Sequence, residues 1–245
     1  MKYTLSVVVL AAASVAAHAQ YVVVPGAYAN TAASSSGFNL PLNSGGRTGQ
    51  AIINANQLGD IAVGSQITGI SFRLYTGASQ NFGGATWNDY RISVGESVAP
   101  LSASSTFSTN FLSGATLVRS GALTLAANSF TRGANPNPWG VEITFDTPYT
   151  YTGGHLAIQI NHGASSASIP SGTNLLEIAR ADNAGYVAGN FRYLAGSGGT
   201  ANDLTGSNDG FFVSRLSVMA PVPEPATCAA LGLGALALLR RRRKA

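Results

Sequence analysis

The amino-acid sequence predicts an all-β protein, an antiparallel β-sandwich of the jelly-roll kind, followed by a short C-terminal transmembrane helix. Three observations indicate the fold class. Short segments of alternating apolar and polar residues recur along the chain, separated by Gly, Asn and Ser. Lysine is absent and glutamate is scarce between residues 20 and 220, so the residues of long amphipathic helices are missing there. No stretch before residue 221 has a helical period, and no internal repeat indicates a solenoid.

Four segments alternate regularly enough to predict which side chains face the core. Each is expected to be a half-buried strand, because successive side chains of a strand point to opposite faces. The segments are 67–75, 90–94, 141–145 and 155–161. The predicted inward side chains are those of Ile70, Phe72, Leu74, Ile92, Val94, Val141, Ile143, Phe145, Leu156, Ile158 and Ile160.

Weaker signals complete a sandwich of about ten strands. Residues 31–46 are rich in Ser, Asn and Gly and are predicted to be irregular, and residues 77–88 are predicted to form a long polar loop. The further strand candidates are 21–24, 117–119, 121–125, 175–179, 186–193 and 211–218.

The N-terminus has the parts of a secretory signal peptide. Lys2 supplies a positive charge, residues 5–15 form an apolar run, and Ala17-His18-Ala19 is a small-x-small cleavage site. We predict that residues 1–19 are the signal peptide and that signal peptidase cuts between Ala19 and Gln20. The alternative is an uncleaved anchor, but the apolar run is too short to span a bilayer.

The C-terminal segment, residues 221–245, joins a Pro-Glu-Pro block to an apolar stretch and a basic end. The block is Val222-Pro223-Glu224-Pro225, the apolar stretch is 226–239, and the basic end is Arg240, Arg241, Arg242, Arg243 and Lys244. The apolar stretch would extend about 21 Å as a helix, so it spans a membrane only if the arginines snorkel and the bilayer thins. The cations predict a cytoplasmic end and an external body. A buried core helix, the alternative, does not fit four consecutive arginines.

This tripartite segment resembles the PEP-CTERM sorting signal of exopolysaccharide-producing bacteria. The resemblance implies recognition by an exosortase-type membrane protease, which cuts near the Pro-Glu-Pro block and releases or re-anchors the body. It implies a body outside the cytoplasmic membrane, transiently anchored there and then at the cell surface or extracellular. Such tails are also labelled as the C-terminal domain of ice-binding proteins, but this one carries no ice-binding chemistry. The body, residues 20–220, resembles some PEP-CTERM ectodomains more loosely, and that resemblance implies no activity.

Charge and cysteine content exclude several classes of function. Residues 20–220 contain eight arginines and nine acidic residues, so their net charge is close to zero. The basic sequence pI of 9.4 therefore comes from the positive residues at the two ends of the chain. We therefore expect no nucleic-acid partner. The single cysteine, Cys228, lies in the apolar stretch, so no disulfide forms in the body. We interpret Cys228 as a small apolar membrane residue rather than a lipidation site.

Three groups of residues have the composition of a functional site, and each has a simpler interpretation. His155 and His162 are too few for a metal site and are expected to be solvated at a strand end and in a turn. Glu142 and Asp146 have the residue types of a glycosidase pair, but solvated strand-face acids are expected. Residues 203–210 superficially resemble a calcium loop, although they lack its spacing, and an Asx turn is expected. We predict no enzyme, no metal and no cofactor.

The sequence thus predicts an exported structural or adhesive protein linked to exopolysaccharide. The alternative is a secreted carbohydrate-binding module or glycan-active enzyme, since sandwich folds host both. Phe82, Trp87 and Trp139 lie in loop-like stretches, and exposed rings there would stack on sugars. The expected partners are signal peptidase, the exosortase-type protease and exopolysaccharide.

Overall fold

The computed structural model describes residues 19–33, 35–36, 40–166, 176–197 and 210–221. These ranges contain fourteen strands, all paired antiparallel, and six 3₁₀ helices of three or four residues. The all-β prediction is confirmed. The 3₁₀ helices are Gly26–Tyr28, Leu40–Leu42, Ala55–Gln57, Pro100–Ser102, Phe107–Asn110 and Ala188–Asn190. The strands are β1 (Ala19–Val24), β2 (Ser35–Ser36), β3 (Arg47–Ile53), β4 (Gln66–Phe72), β5 (Ala85–Trp87), β6 (Tyr90–Ser97), β7 (Thr116–Arg119), β8 (Leu123–Leu125), β9 (Ile143–Thr150), β10 (His155–His162), β11 (Glu177–Arg180), β12 (Phe191–Ser197), β13 (Gly210–Phe212) and β14 (Ser214–Met219).

Two larger sheets form the layers. The four-stranded sheet has the order β1-β14-β4-β9, and the five-stranded sheet has the order β12-β3-β10-β6-β7. Their inner faces share one apolar core, in which Phe72 and Leu216 of the first sheet and Ile92 and Ile158 of the second are all buried. A three-stranded sheet, β13-β11-β2, and the two-stranded sheet β5-β8 extend these layers. Each large sheet therefore has one apolar face, which packs against the apolar face of the other sheet. This packing explains why apolar and polar residues alternate along the strands.

Ten of the eleven predicted inward side chains are buried, and Val141 is the exception with 46 % of its surface exposed. The amide of Gly140 donates to the carbonyl of Phe72, and the amide of Val141 donates to that of Ser129. The chain at Val141 therefore follows a loop, and β9 starts two residues later. The prediction of an inward Val141 is wrong for this reason.

A β-bulge adds Ile67 to the core. Strict alternation places Ile67 on the face opposite Ile70, yet both are buried among the same apolar residues. The pairing of β4 with β14 and with β9 shifts register between Ile67 and Gly69, leaving Thr68 as an extra residue. An extra residue reverses the facing of those before it, so Ile67 turns inward.

Residues 98–112 cover the outer face of the five-stranded sheet. Ile52, Ala157 and Leu194 point away from the shared core, and Phe107 and Phe111 pack on them as a second, smaller apolar cluster. Asn110 fastens this cover, because its side-chain amide donates to Gln50 Oε1 at 2.7 Å and to the Ser104 carbonyl at 2.9 Å. We call residues 98–112 the covering segment.

No helix among the residues placed by the structure is long and apolar enough to span a membrane. The predicted span, residues 226–239, lies outside the described residues, as do residues 1–18 of the predicted signal peptide.

Candidate functional site

The outer face of the four-stranded sheet carries a set of organised polar and aromatic side chains. In β14, Leu216 and Val218 lie in the core, so Arg215 and Ser217 point outward. The strand register places Tyr21 of β1 opposite Ser217, and Ser71 of β4 opposite Arg215. Three strands that are distant in sequence therefore contribute to one surface.

The most ordered part of this surface is a stack of alternating arginine and aromatic side chains. The guanidinium carbon of Arg215 lies 4.2 Å from the ring centroid of Tyr21 and 5.2 Å from that of Trp139. The guanidinium carbon of Arg73 also lies near this ring, 4.9 Å from its centroid. We call Tyr21, Arg215, Trp139 and Arg73 the aromatic–arginine stack. At exposed sites each such contact contributes about 0.5–1 kcal/mol, so the contacts of Arg215 favour the observed orientation of its side chain.

Arg73 anchors the inner end of the stack through a buried ion pair. Its side chain is 1 % exposed and Glu177 is fully buried. The guanidinium bonds the Glu177 carboxylate through two nitrogens and also donates to the carbonyls of Tyr28 and Thr31, at 2.8 and 2.7 Å. Glu177 additionally accepts from the amide of Ala33. Both charges are therefore neutralised within the fold, and this end of the stack has a structural role.

Arg215 differs from Arg73 because the protein does not neutralise it. Within the described part of the chain, no carboxylate forms an ion pair with Arg215, and its hydrogen bond is one from Nε to Ser71 Oγ at 3.2 Å. Arg215 is half-buried, and Tyr21 beside it has 52 % of its surface exposed. The outer end of the stack is therefore open to solvent and carries a positive charge.

Glu142 lies on the same face, across Gly69 of β4. Its carboxylate accepts a hydrogen bond from Ser217 Oγ. A side chain at position 69 would overlap this carboxylate, so the glycine makes the close approach possible. Glu142 is thereby held between the stack and the start of β9.

A groove of about 480 Å³ adjoins this face. Glu142 and Asp146 both line it, and Glu142 joins the groove to the outer face of the sheet. Asp146 accepts a hydrogen bond from the amide of Ser120 at 2.9 Å. The volume lies within the range of about 300–1,000 Å³ that is usual for ligand sites. The other lining residues are Arg119, Leu123, Thr124, Leu125, Ala126, Ser129, Val141, Ile143 and Thr144.

Of the three aromatic residues predicted to be exposed, two are buried and one is partly exposed. Phe82 and Trp87 are buried, so the expectation that these rings lie on an exposed loop is wrong. Residues 85–87 form β5, which pairs with β8, and Trp87 Nε1 donates to the carbonyl of Asn43 at 2.9 Å. The Phe82 ring packs edge-on against Phe130, at 5.5 Å between centroids. Trp139 is half-buried and lies in the stack, so it keeps an accessible surface.

The two histidines are separated by the fold. His155 accepts a hydrogen bond from the amide of Ala55 through Nδ1, at 3.1 Å. His162 is 2 % exposed and its ring stacks on that of Tyr90, at 5.6 Å between centroids. The prediction of a solvated His162 in a turn is wrong, because β10 continues through residue 162 and pairs it with Tyr90 of β6. No group of three or more metal-binding side chains converges within the residues that the structure covers.

The remaining predicted site residues lie at or beyond the edges of the described chain. Ala19 and Gln20, the predicted cleavage pair, open β1 opposite Met219 and Val218. The calcium-like segment 203–210 is outside the described residues except for Gly210, which starts β13. The sorting block Val222–Pro225 and the basic residues 240–244 also lie outside them.

Sequence reasoning missed Tyr21, Arg215 and Ser71 as members of the site. The segment RLSVM does alternate, with Leu216 and Val218 on one side and Arg215 and Ser217 on the other. This pattern predicts an outward arginine. It does not predict that β1 pairs beside it and brings an aromatic ring to the guanidinium group.

A family model described as the PEP-CTERM protein-sorting motif matches residues 221–244. Comparison with curated proteins and with solved structures gives no match for the chain. The motif implies export and membrane-associated sorting of a chain whose described residues form an all-β fold. The chain therefore carries a PEP-CTERM sorting motif over 24 of its 245 residues, and this motif implies processing by exosortase, a membrane protein.

Proposed function

We propose that the body of this protein is a structural or adhesive ectodomain without catalytic activity, which binds exopolysaccharide through the outer face of its four-stranded sheet. The observation that supports the proposal most directly is the aromatic–arginine stack. It places the exposed ring of Tyr21 and the half-buried ring of Trp139 at 4.2 and 5.2 Å from the guanidinium carbon of the half-buried Arg215.

The chemistry of this face suits a sugar chain. The C–H faces of a pyranose pack on aromatic rings, and its hydroxyls bond charged groups such as Arg215 and Glu142. The groove beside Glu142 extends the surface past the stack, so several consecutive sugar units have room to lie along it. A flat, extended site of this kind fits a polymer better than a small metabolite, which needs an enclosing pocket.

In this proposal the two groove carboxylates have a structural role as hydrogen-bond acceptors. Glu142 is engaged by Ser217, and Asp146 is engaged by the backbone of Ser120. A second candidate function, glycan hydrolysis, is favoured by one observation, namely that both acids line the same groove. Hydrolysis needs one of the pair to act as an acid and the other as a base or nucleophile.

Affinity measurements with the exopolysaccharide of the native host test binding. Protein recovered from the host surface is titrated with this polysaccharide, and Tyr21→Ala is expected to weaken binding at least about fivefold, as for an anchoring side chain. Leu101→Ala is the matched control, because Leu101 is also exposed, at 80 %, but belongs to the covering segment on the other sheet. Equal affinity of the wild type and Tyr21→Ala would refute this binding face.

Reducing-sugar release from the same polysaccharide tests the enzymatic alternative. We expect no release above background with the wild-type protein. Release that disappears in both Glu142→Gln and Asp146→Asn, with folding intact by circular dichroism, would establish hydrolysis instead.

A further inference from the structure

We propose that Arg215 makes the binding face selective for acidic polysaccharides by binding the carboxylate of a uronic acid unit. This inference rests on the proposed function and narrows it to a class of ligand. It begins from the charges on the outer face of the four-stranded sheet.

Two arginines belong to the stack, but only one of them can take an external anion. Arg73 is 1 % exposed and already bonds the Glu177 carboxylate through two nitrogens. Arg215 is half-buried and has no carboxylate partner in the described ranges. An anionic ligand that reaches the stack therefore meets Arg215.

The hydrogen-bonding capacity of Arg215 fits a carboxylate. A guanidinium group has five N–H donors, and the structure uses the one on Nε for Ser71. The two terminal nitrogens then remain as a planar fork, which matches the two oxygens of a carboxylate. Arg215 can therefore form an ion pair with a carboxylate without help from another side chain.

The two flanking rings preorganise this fork. Tyr21 and Trp139 lie 4.2 and 5.2 Å from the guanidinium carbon and restrict its orientation. A long side chain that is already ordered loses less entropy when it binds a ligand. Tyr21 keeps 52 % of its surface exposed, so its ring offers apolar surface to a sugar unit next to the one that carries the carboxylate.

The neighbouring carboxylate sets the direction of the chain. Glu142, at the groove end of the face, repels an acidic group, whereas Arg215 attracts it. The acidic unit that pairs with Arg215 is therefore expected at the stack, while Arg119 in the groove lining offsets part of the repulsion by Glu142 and Asp146 on the units that lie there. The body contains eight arginines and nine acidic residues between residues 20 and 220, so it has no net positive charge that would attract polyanions in general. The preference for a carboxylate at the stack then depends on Arg215.

Polygalacturonate and its fully methyl-esterified form provide a matched pair of probes, because they share a backbone and differ in the carboxylate charge. Isothermal titration of the protein recovered from the host surface is expected to show at least about tenfold tighter binding to polygalacturonate, as for one charge-assisted hydrogen-bonded pair. Arg215→Gln should abolish that ratio. Arg215→Lys should keep part of it, since the charge remains and the fork is lost.

Arg91→Gln is the control, because it removes the same charge from an exposed position on the five-stranded sheet. All variants share the same termini, so any contribution of the basic end cancels in the comparison.

Equal affinity for both probes, with binding to the host polysaccharide intact, overturns the inference and leaves the proposed function standing. Absence of binding to every polysaccharide overturns the proposed function itself. Dextran sulfate bound as tightly as polygalacturonate, with the same dependence on Arg215, overturns the carboxylate assignment in favour of charge alone.

Discussion

The two sheets present opposite kinds of outer face. On the five-stranded sheet, apolar side chains such as Ile52 and Leu194 point outward, and the covering segment packs Phe107 and Phe111 over them. On the four-stranded sheet, the outward residues include Tyr21, which keeps 52 % of its surface exposed, and Arg215, which is half-buried beside Trp139. Apolar outward residues gain from being removed from water, whereas a stacked arginine and tyrosine are stable while partly solvated. The covered face therefore serves stability, and the open face is available to a ligand.

The largest loss of stability is expected when the apolar cluster under the covering segment is disrupted. Phe107 is 1 % exposed, and Phe107→Ala should lower the free energy of unfolding by about 3–5 kcal/mol, because it removes a buried ring and leaves a cavity. Urea unfolding followed by tryptophan fluorescence measures this loss. Polysaccharide affinity should not change under conditions where the variant is folded. Leu101→Ala, on the same segment but exposed, should cost less than about 0.5 kcal/mol. A loss below about 1 kcal/mol for Phe107→Ala would contradict the assignment of a second core.

Alkaline pH tests the core that lies between the two faces. Tyr90 is fully buried and its hydroxyl donates to the carbonyl of Pro41 at 2.8 Å. Burial raises the pKa of Tyr90 well above its usual value of 10.0, although the charge of Arg119 partly opposes this. In the unfolded chain the phenol ionises near pH 10, whereas in the folded protein it stays neutral. Its contribution to stability is therefore complete below pH 10 and declines as the pH rises above that value.

The expected slope is about 1.4 kcal/mol of unfolding free energy per pH unit for each such tyrosine. Urea titrations between pH 9 and 11.5 measure it, and Tyr90→Phe should reduce the slope by about that amount, since phenylalanine does not ionise. Burial also raises the pKa of Tyr193, so some slope remains in the variant. An unchanged slope in Tyr90→Phe would show that Tyr90 is not shielded from water.

The smallest effect on stability is expected on the open face. Tyr21→Ala removes a ring with 52 % of its surface exposed and one contact with Arg215. The free energy of unfolding should fall by less than about 1 kcal/mol, even though the polysaccharide affinity falls. Thermal and urea unfolding measure the first quantity. A loss as large as that of Phe107→Ala would mean that the open face is also a structural one, and the contrast between the faces would disappear.

Sequence patterns predicted the strands that bury one face and missed a strand that buries two. β4, β6, β9 and β10 alternate because the side chains on one face are apolar. The side chains predicted to point inward are buried, except that of Val141, which is exposed and lies before β9. β3 (Arg47–Ile53) was missed although it lies inside the five-stranded sheet. Its polar residues Thr48 and Gln50 are buried together with Ile52 and Ile53, so no alternation is visible. Gly49 adds to this, because the ring of Tyr193 occupies the space of a side chain at that position.

The candidate site was only partly predictable. Trp139, Glu142 and Asp146 were named from the sequence, and the structure places all three on or beside one surface. Phe82 and Trp87 were assigned to the surface because their neighbours are polar, but a large ring within a polar stretch can also be the residue that fastens the stretch to the core. Tyr21 and Arg215 meet only because the first and last strands of the body pair, and strand partners far apart in sequence are not encoded in local alternation.

The position of β14 has a mechanical consequence. This strand ends at Met219, two residues before residue 221, where the sorting motif begins, and it lies between β1 and β4 with antiparallel ladders on both sides. Tension applied at residue 221 and directed along the strand runs at right angles to these hydrogen bonds. The two ladders are then loaded in shear, so their bonds share the force and must yield together instead of opening one at a time. A tether attached at this end pulls on the part of the sheet that resists extension most strongly.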